Sequence, residues 1–455
     1  MNDFSPSDAQ SRAITEIRDW FVNRSSRQQV FRLFGYAGSG KSTVLRFALE
    51  ELGLSTSVSS RHCVPDVVTA TFTGKAALVL RRKGTPARTI HSLIYSVFQA
   101  TEEEVAATVA KIEEAGKEAR GLTCFERTTA EAAIEAMRQA LVQMKQPRFT
   151  LNPQSDAALA RLIVLDEVSM VDEDMARDLM SFGKPILVLG DPGQLPPIKG
   201  EGAFTRDAPD VMLTEIHRQA AESAIIRLAT MARQGEAIGF GQYDAHVAKM
   251  RKADITPAQA LRGGQVICGR NVTRFELNNA MRGAAGFAGG GALPSGPTEK
   301  IICLKNQNEL GLINGMFVTL EDIIDEGTHY FSAAARDEDG ELLGPLLDAE
   351  GARGRMRFYK GHFEDHLSFD PHRHDRDWKV KRQLSEATFG WAITCHKAQG
   401  SQWENVIVWD DGLGQGEADR RRWLYTAITR AERRLESSRA LRPPRNPPPP
   451  SCNGS

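Results

Sequence analysis

The segment Gly35-Tyr-Ala-Gly-Ser-Gly40-Lys41-Ser42 limits what this chain can fold into more than any other stretch. It fits GxxxxGK[ST] and stands between a short apolar run, Val30 to Phe34, and a helical pattern. Its glycines let backbone N–H groups close around phosphates, and the helix that follows presents its positive end there. Gly38, Ser39, Gly40, Lys41, Ser42 and Thr43 are therefore the candidate ATP contacts. Lys41 suits the β- and γ-phosphates, and the Ser42 hydroxyl suits magnesium. Such a loop belongs at the carboxyl end of a strand in a parallel sheet, which commits the first part of the chain to an α/β architecture.

A phosphate loop needs an acidic strand end to hold the metal and orient water. Leu162-Ile-Val-Leu165-Asp166-Glu167 supplies one, with Asp166 assigned to magnesium and Glu167 to the attacking water. A further apolar run, Ile186 to Leu189, leads into Gly190-Asp191-Pro-Gly-Gln194. The Gln194 amide can donate to a γ-phosphate and accept from water.

Val67 to Phe72 is another apolar run of the same form, and helical stretches separate the four, the first helix spanning about residues 5 to 23. Strands alternating with helices imply a parallel sheet covered on both faces. Between residues 98 and 155 the chain turns charge-rich and helical, which reads as an insert. A second set of α/β signals starts near residue 213, with strands expected at Val266 to Cys268 and Val406 to Trp409. Short β-like runs between turns over 311 to 385 suggest a small β-barrel insert. The Pro-rich end reads as an extended tail.

Length and composition fit this plan. At roughly 150 residues per domain, 455 residues suggest about three. A net charge of −1 excludes a uniformly basic coat, though not a local basic groove. Six scattered cysteines without a CxxC pair argue against a structural zinc site or a disulfide framework, and for the reducing cytoplasm. No apolar run reaches the ~18 residues of a membrane span, so no membrane partner is expected.

The order GYAGSGKST, TFTGKAAL, TIHSLIY, LIVLDEVSMVD, GDPGQLPPI, LTEIHRQ, ITCHKAQGSQW and YTAITRA resembles superfamily 1 helicases, most of all their RecD-like and phage Dda-like branch. The resemblance runs from residue 4 to about 435. It implies two RecA-like P-loop domains with parallel sheets: residues 1–97 with 156–212, and residues 213–310 with 386–435. A largely helical insert (98–155) would interrupt the first, a small SH3-like β-barrel insert (311–385) the second, and a Pro-rich tail (436–455) would follow. It further implies an ATP-dependent helicase that uses Mg2+, moves 5′ to 3′ on single-stranded DNA and engages tailed duplexes, with a monomer expected. A helicase-like motor subunit of an exonuclease or recombination complex, without strand separation of its own, is the alternative.

Carried over residue by residue, Gln10 would read adenine, and Arg218 and Arg430 would reach the γ-phosphate across the cleft. Such arginines stabilise charge on the transferring phosphoryl group. The matched DNA contacts are Thr73, Gly74, Lys75, Thr89, His91 and Ser92, then Thr394, His396, Lys397, Gln399, Gly400 and Ser401. These hydroxyls, small residues and few cations suit phosphates rather than base edges. Thr89 and Ser92 can equally cap a helix.

Two stretches depart from the branch. Where it carries a β-hairpin wedge, residues 98–145 look helical, with FERTTA and PRFTLNP the only hairpin sources. After YTAITRA, the polar run Arg433 to Arg439 leads into prolines, so the last strand of the second domain is expected to be missing. Separately, His362, His366, His372 and His374 cluster with acids in GHFEDHLSFDPHRHDRD. Without an HExxH this reads as a solvated loop or barrel edge rather than a metal site.

Overall fold

The computed structural model describes residues 6–23, 28–57, 65–82, 84–98, 102–121, 123–144, 148–196, 202–215, 223–287, 291–345, 347, 353–414 and 416–439. Its first sheet has the strand order Ala87–Thr89, Val67–Thr71, Leu162–Asp166, Ile186–Gly190, Val30–Gly35, Val211–Leu213, every pair parallel. The apolar runs divide between its two faces. Ile163, Leu165, Ile186 and Val188 pack in one core, whereas Leu162, Val164, Leu187 and Leu189 pack in another with the Asp8–Asn23 helix. This double coverage is why the strands read as continuous hydrophobic runs rather than alternating ones.

The second sheet runs Ala392–Thr394, Gln265–Cys268, Trp403–Asp410, Ala431–Arg439, Val247–Arg251, Gly241–Gln242, parallel except for its last pair. The polar run after YTAITRA is therefore a strand. It pairs on both sides, with Trp403–Asp410 and with Val247–Arg251. Leu435 and Ser438 are fully buried, and Ser437 nearly so. Small hydroxyl side chains fit the packed interior, while Arg433 and Arg434 pair with Glu404 and Glu436 nearer the surface. The second unit accordingly extends to Arg439, and residues 436–439 do not belong to a tail. Residues 440–455 lie outside the described ones.

An antiparallel sheet runs Leu342–Leu343, Tyr330–Arg336, Phe317–Asp325, Ile301–Cys303, Ala387–Phe389, with Met356–Tyr359 also paired to Tyr330–Arg336. It starts before 311 and ends after 385. Both outer segments are short apolar stretches that look like strands of the flanking α/β unit until their pairing is known. Between residues 98 and 155, the helices Glu102–Ala119 and Cys124–Met144 pack through Ile112, Ala119 and Ile134. They rise from a two-stranded antiparallel stem, Tyr95–Phe98 with Arg148–Leu151. PRFTLNP thus contributes a strand, whereas FERTTA lies in a helix. Among the described residues, no helix is long and apolar enough to cross a membrane.

Candidate functional site

The loop 35–42 leaves the Val30–Gly35 strand and enters the Lys41–Glu51 helix. Gly38 and Gly40 hold φ of 80° and 82°, a left-handed backbone that a side chain would strain. A Cβ on Gly35 would strike Ser39 Oγ and Leu213. Lys41 Nζ folds back to donate to the carbonyls of Gly35 at 2.6 Å and Tyr36 at 3.4 Å. Asp166 ends the central Leu162–Asp166 strand, and its Oδ1 accepts from Glu167 N at 2.8 Å. Glu167 itself has φ 54°, strained for a residue with a side chain, as is common at functional turns. Ser42 and Asp166 line one cavity of about 540 Å³. A hydroxyl and a carboxylate are hard oxygen donors of the kind magnesium takes. Gln10 is buried beside the loop and donates through Nε2 to Ser39 O at 3.3 Å.

Asp191, in the turn after the Ile186–Gly190 strand, joins this loop to the second unit. Tyr425, on the Glu417–Ile428 helix, donates its hydroxyl to Asp191 Oδ2 at 2.6 Å and accepts from Ala37 N–H at 2.9 Å. Burial holds the Asp191 carboxyl above the ordinary carboxylate range, against the pull of Lys41 and the Tyr425 hydroxyl. Two more bonds cross nearby, Leu195 N–H to Thr426 Oγ1 at 3.0 Å and Gln399 Nε2 to Leu195 O at 3.1 Å. Gln194 is buried with its Oε1 unpaired among the described residues. Arg233 lies over the ring of Tyr36, 3.7 Å from its centroid. Arg430 is buried and donates to Thr426 O, Ser401 O and Thr429 Oγ1 at 3.1, 3.3 and 3.3 Å, so its own unit holds it here. Arg218 lies outside the described residues.

A groove of about 710 Å³ runs between the units and the antiparallel sheet. Thr73, Gly74, Lys75, His91, Thr394, His396, Lys397 and Gln399 line it. Gly400, at φ 76°, packs so closely that a Cβ there would lie 2.7 Å from Thr73 Oγ1. Thr89 and Ser92 are not among the lining residues. Thr89 caps the Ile90–Ile94 helix by accepting from Ser92 N–H at 3.2 Å, the bland alternative for this pair. Ser401 is buried and gives its carbonyl to Arg430.

Two of the groove's cations, Lys75 and Lys397, are already engaged. Lys75 Nζ meets both carboxylate oxygens of Glu338, at 2.7 and 2.5 Å, and Lys397 Nζ donates to Asn314 Oδ1 at 2.9 Å. Burial lowers the pKa of His91, His396 and Lys397.

A family model described as AAA domain matches residues 7–251, more than half of the chain, over the sheet that carries the loop. The chain belongs to that family. A second model, UvrD-like helicase C-terminal domain, matches residues 389–435. An ATP-dependent RecD2 DNA helicase of Deinococcus radiodurans is 26% identical over 303 residues, 61% of this chain and 36% of that protein. The chain thus spans about a third of the length of that relative. Among solved structures, Bacteroides Pif1 helicase with ADP-AlF3 and single-stranded DNA covers 97% of this chain and 94% of its own, at 17% identity and a TM-score of 0.47. Candida albicans Pif1 helicase covers 96% and 94%, at 16% identity and a TM-score of 0.46.

Several residues of this AAA-domain chain escaped the sequence reading. Asp191 stood within a quoted motif but had no role, because its partner Tyr425 lies 234 positions away. Arg233 sits in an ordinary amphipathic helix, Ala224–Gln234, with no local signal. Arg274 lines the groove and is mostly buried, and burial lowers its pKa. Nothing in the sequence around it marks it out.

Proposed function

We propose that this chain is an ATP-dependent DNA helicase that moves 5′ to 3′ on single-stranded DNA. The observation that carries the reading is the join between two sites. The phosphate loop is tied through Asp191 and Tyr425 to the same second unit whose Thr394, His396 and Lys397 line the groove. A change at the loop therefore has a short mechanical route to the groove.

In this reading Lys41 leaves the carbonyls of Gly35 and Tyr36 for the β- and γ-phosphates, and Gln10 holds the adenine. Ser42 and Asp166 hold the magnesium, which supplies charge neutralisation at the phosphate oxygens. Glu167 accepts the proton of the attacking water, and Gln194 senses the γ-phosphate. Arg430 and Arg218 stabilise the developing charge. For Arg430 this requires it to exchange its carbonyl partners for phosphate as the cleft closes. Thr73, Gly74, Lys75 and His91 grip the strand from the first unit, and the second unit's residues grip it in alternation. We assign the two parallel-sheet units to RecA-like domains, the antiparallel sheet over 301–389 to an SH3-like insert, and the protein to the cytoplasm. Its buried free thiols Cys268, Cys303 and Cys395 fit that compartment.

The reading is tested by magnesium-dependent ATP hydrolysis with and without a poly-thymidine strand. Hydrolysis should be stimulated by the strand and lost in Lys41→Ala. Hydrolysis that ignores DNA would overturn it.

A further inference from the structure

The histidine-rich segment is solvated only in part: His372 is exposed, whereas His366 is buried and His362 and His374 are half-buried. His362 lies in the helical turn Gly361–Glu364, Asp365 stands at its C-terminal end, and the Arg373–Arg376 turn brings His374 over them. The His362 and His374 rings are 4.4 Å apart between centroids. One ligand atom from each of His362, Asp365 and His374 falls within 4.8 Å of the other two. The Asp365 side chain is only 4% exposed, and those of His362 and His374 are 14% and 27% exposed. His366 is separate, buried against Thr388.

The surroundings prepare these groups as ligands. His362 Nε2 is held by Glu386 at 2.9 Å, and Lys381 in turn holds that carboxylate at 3.2 Å. A carboxylate behind an imidazole fixes its tautomer and raises its basicity, the usual arrangement around metal-bound histidine. Arg373 takes Asp365 Oδ1 at 2.8 Å, while Oδ2 faces His374 Nε2 at 2.8 Å. His374 Nδ1 is buried without a hydrogen-bond partner among the described residues. Tetrahedral ligands about 2.1 Å from zinc stand roughly 3.4 Å apart, so small side-chain rotations suffice to close this cluster on an ion.

We infer that His362, Asp365 and His374 form a site for a divalent transition metal of the zinc type, with one coordination position open to the groove. Two imidazoles and one carboxylate favour zinc, cobalt or nickel over magnesium. Three protein ligands leave a fourth position for an external ligand, as in sites that bind substrate or water. All three residues line the groove that also holds Lys75, Thr394 and Lys397. A phosphate oxygen is the ligand that would reach that position, and its source as a nucleic-acid strand rests on the function proposed above.

The test is cobalt(II) titration of the chelator-treated, nucleotide-free chain, followed by its visible ligand-field absorption. One cobalt per chain is expected, with four-coordinate intensity, displaced by zinc. His362→Ala and His374→Ala should each weaken binding at least tenfold, and Glu386→Gln by about tenfold. His374→Asn serves as a second variant, and each must melt like the wild type without metal. Binding below one per chain, or binding that survives in both alanine variants, overturns the site. Inorganic phosphate should shift the cobalt spectrum, and an unchanged spectrum overturns the open position. A shift with phosphate but none with a bound oligonucleotide would overturn only the strand as its source. A chain that binds cobalt and phosphate but no DNA would leave the metal site standing and reject the helicase reading.

Discussion

Replacing Tyr425 with phenylalanine removes one oxygen from the join between the two parallel-sheet units and leaves the ring in place. That oxygen donates to a carboxylate only 5% exposed and accepts from Ala37 N–H. A hydrogen bond to a charged group contributes about 1.5–3 kcal/mol, and an orphaned N–H adds a desolvation cost of similar size where water cannot enter. Tyr425→Phe should therefore lower stability by about 2–4 kcal/mol. Asp191→Ala should cost a comparable amount, because the tyrosine hydroxyl then loses its acceptor. The double variant should cost little more than either single one, giving a coupling of about 1.5–3 kcal/mol.

Urea unfolding followed by tryptophan emission reports this directly, since Trp423 is buried two residues from Tyr425. The pH dependence has a definite sign. Burial, the largest influence, holds the Asp191 carboxyl above its ordinary value of 3.8, so the folded chain binds its proton more readily than the unfolded one. The ionised form therefore costs stability above the raised value, and that cost is relieved as pH falls through it. Without the tyrosine hydroxyl the carboxyl moves higher still, so Tyr425→Phe should recover more stability on acidification than the wild type does. Additive single variants, within about 0.5 kcal/mol, would refute the join as a coupled unit.

Glu167→Gln should retain ATP binding by fluorescent-analogue titration while single-turnover hydrolysis falls about 10²–10⁴-fold, the range for a lost general base. Glu338→Gln should free Lys75 and tighten single-strand binding about fivefold, from roughly 1 kcal/mol for a partly exposed pair. Lys75→Ala should weaken binding and make the salt slope shallower by about 0.7, one phosphate's share, in fluorescence anisotropy at several salt concentrations. His91 and His396 have pKa values lowered by burial from the ordinary 6.5, so both stay neutral to lower pH than a free imidazole. Strand affinity should then be flat between pH 7 and 8 and rise only below 6.5. A rise already centred near 6.5 would show that these rings titrate freely.

Much of the architecture was legible in the sequence, because parallel strands buried on both faces carry dense apolar runs. Val30–Gly35, Leu162–Asp166 and Ile186–Gly190 stand where those runs are, and each ends in the residues that form the loop, the acidic pair and the Gln194 turn. The strand Ala431–Arg439 was missed because serine is small enough to bury but does not register as apolar. Ser438 Oγ donates to Val408 O, which pays for its burial. The extent of the antiparallel sheet was missed because Ile301–Cys303 pairs with Ala387–Phe389, and no local pattern announces a partner so far along the chain. The same holds at the site. Lys41, Asp166 and Glu167 belong to short motifs, whereas Arg233 on Tyr36, Tyr425 on Asp191 and Glu338 on Lys75 exist only as contacts across the fold.

The central claim is directed, ATP-driven strand separation, and displacement of a labelled strand from tailed duplexes tests it most directly. With magnesium and ATP, the chain should release the strand from a duplex with a 5′ single-stranded tail, and not from a 3′-tailed or blunt one. Lys41→Ala should release neither. Equal release from both tails would contradict the 5′-to-3′ direction, and no release from either, by a chain that hydrolyses ATP on single strands, would contradict the helicase itself.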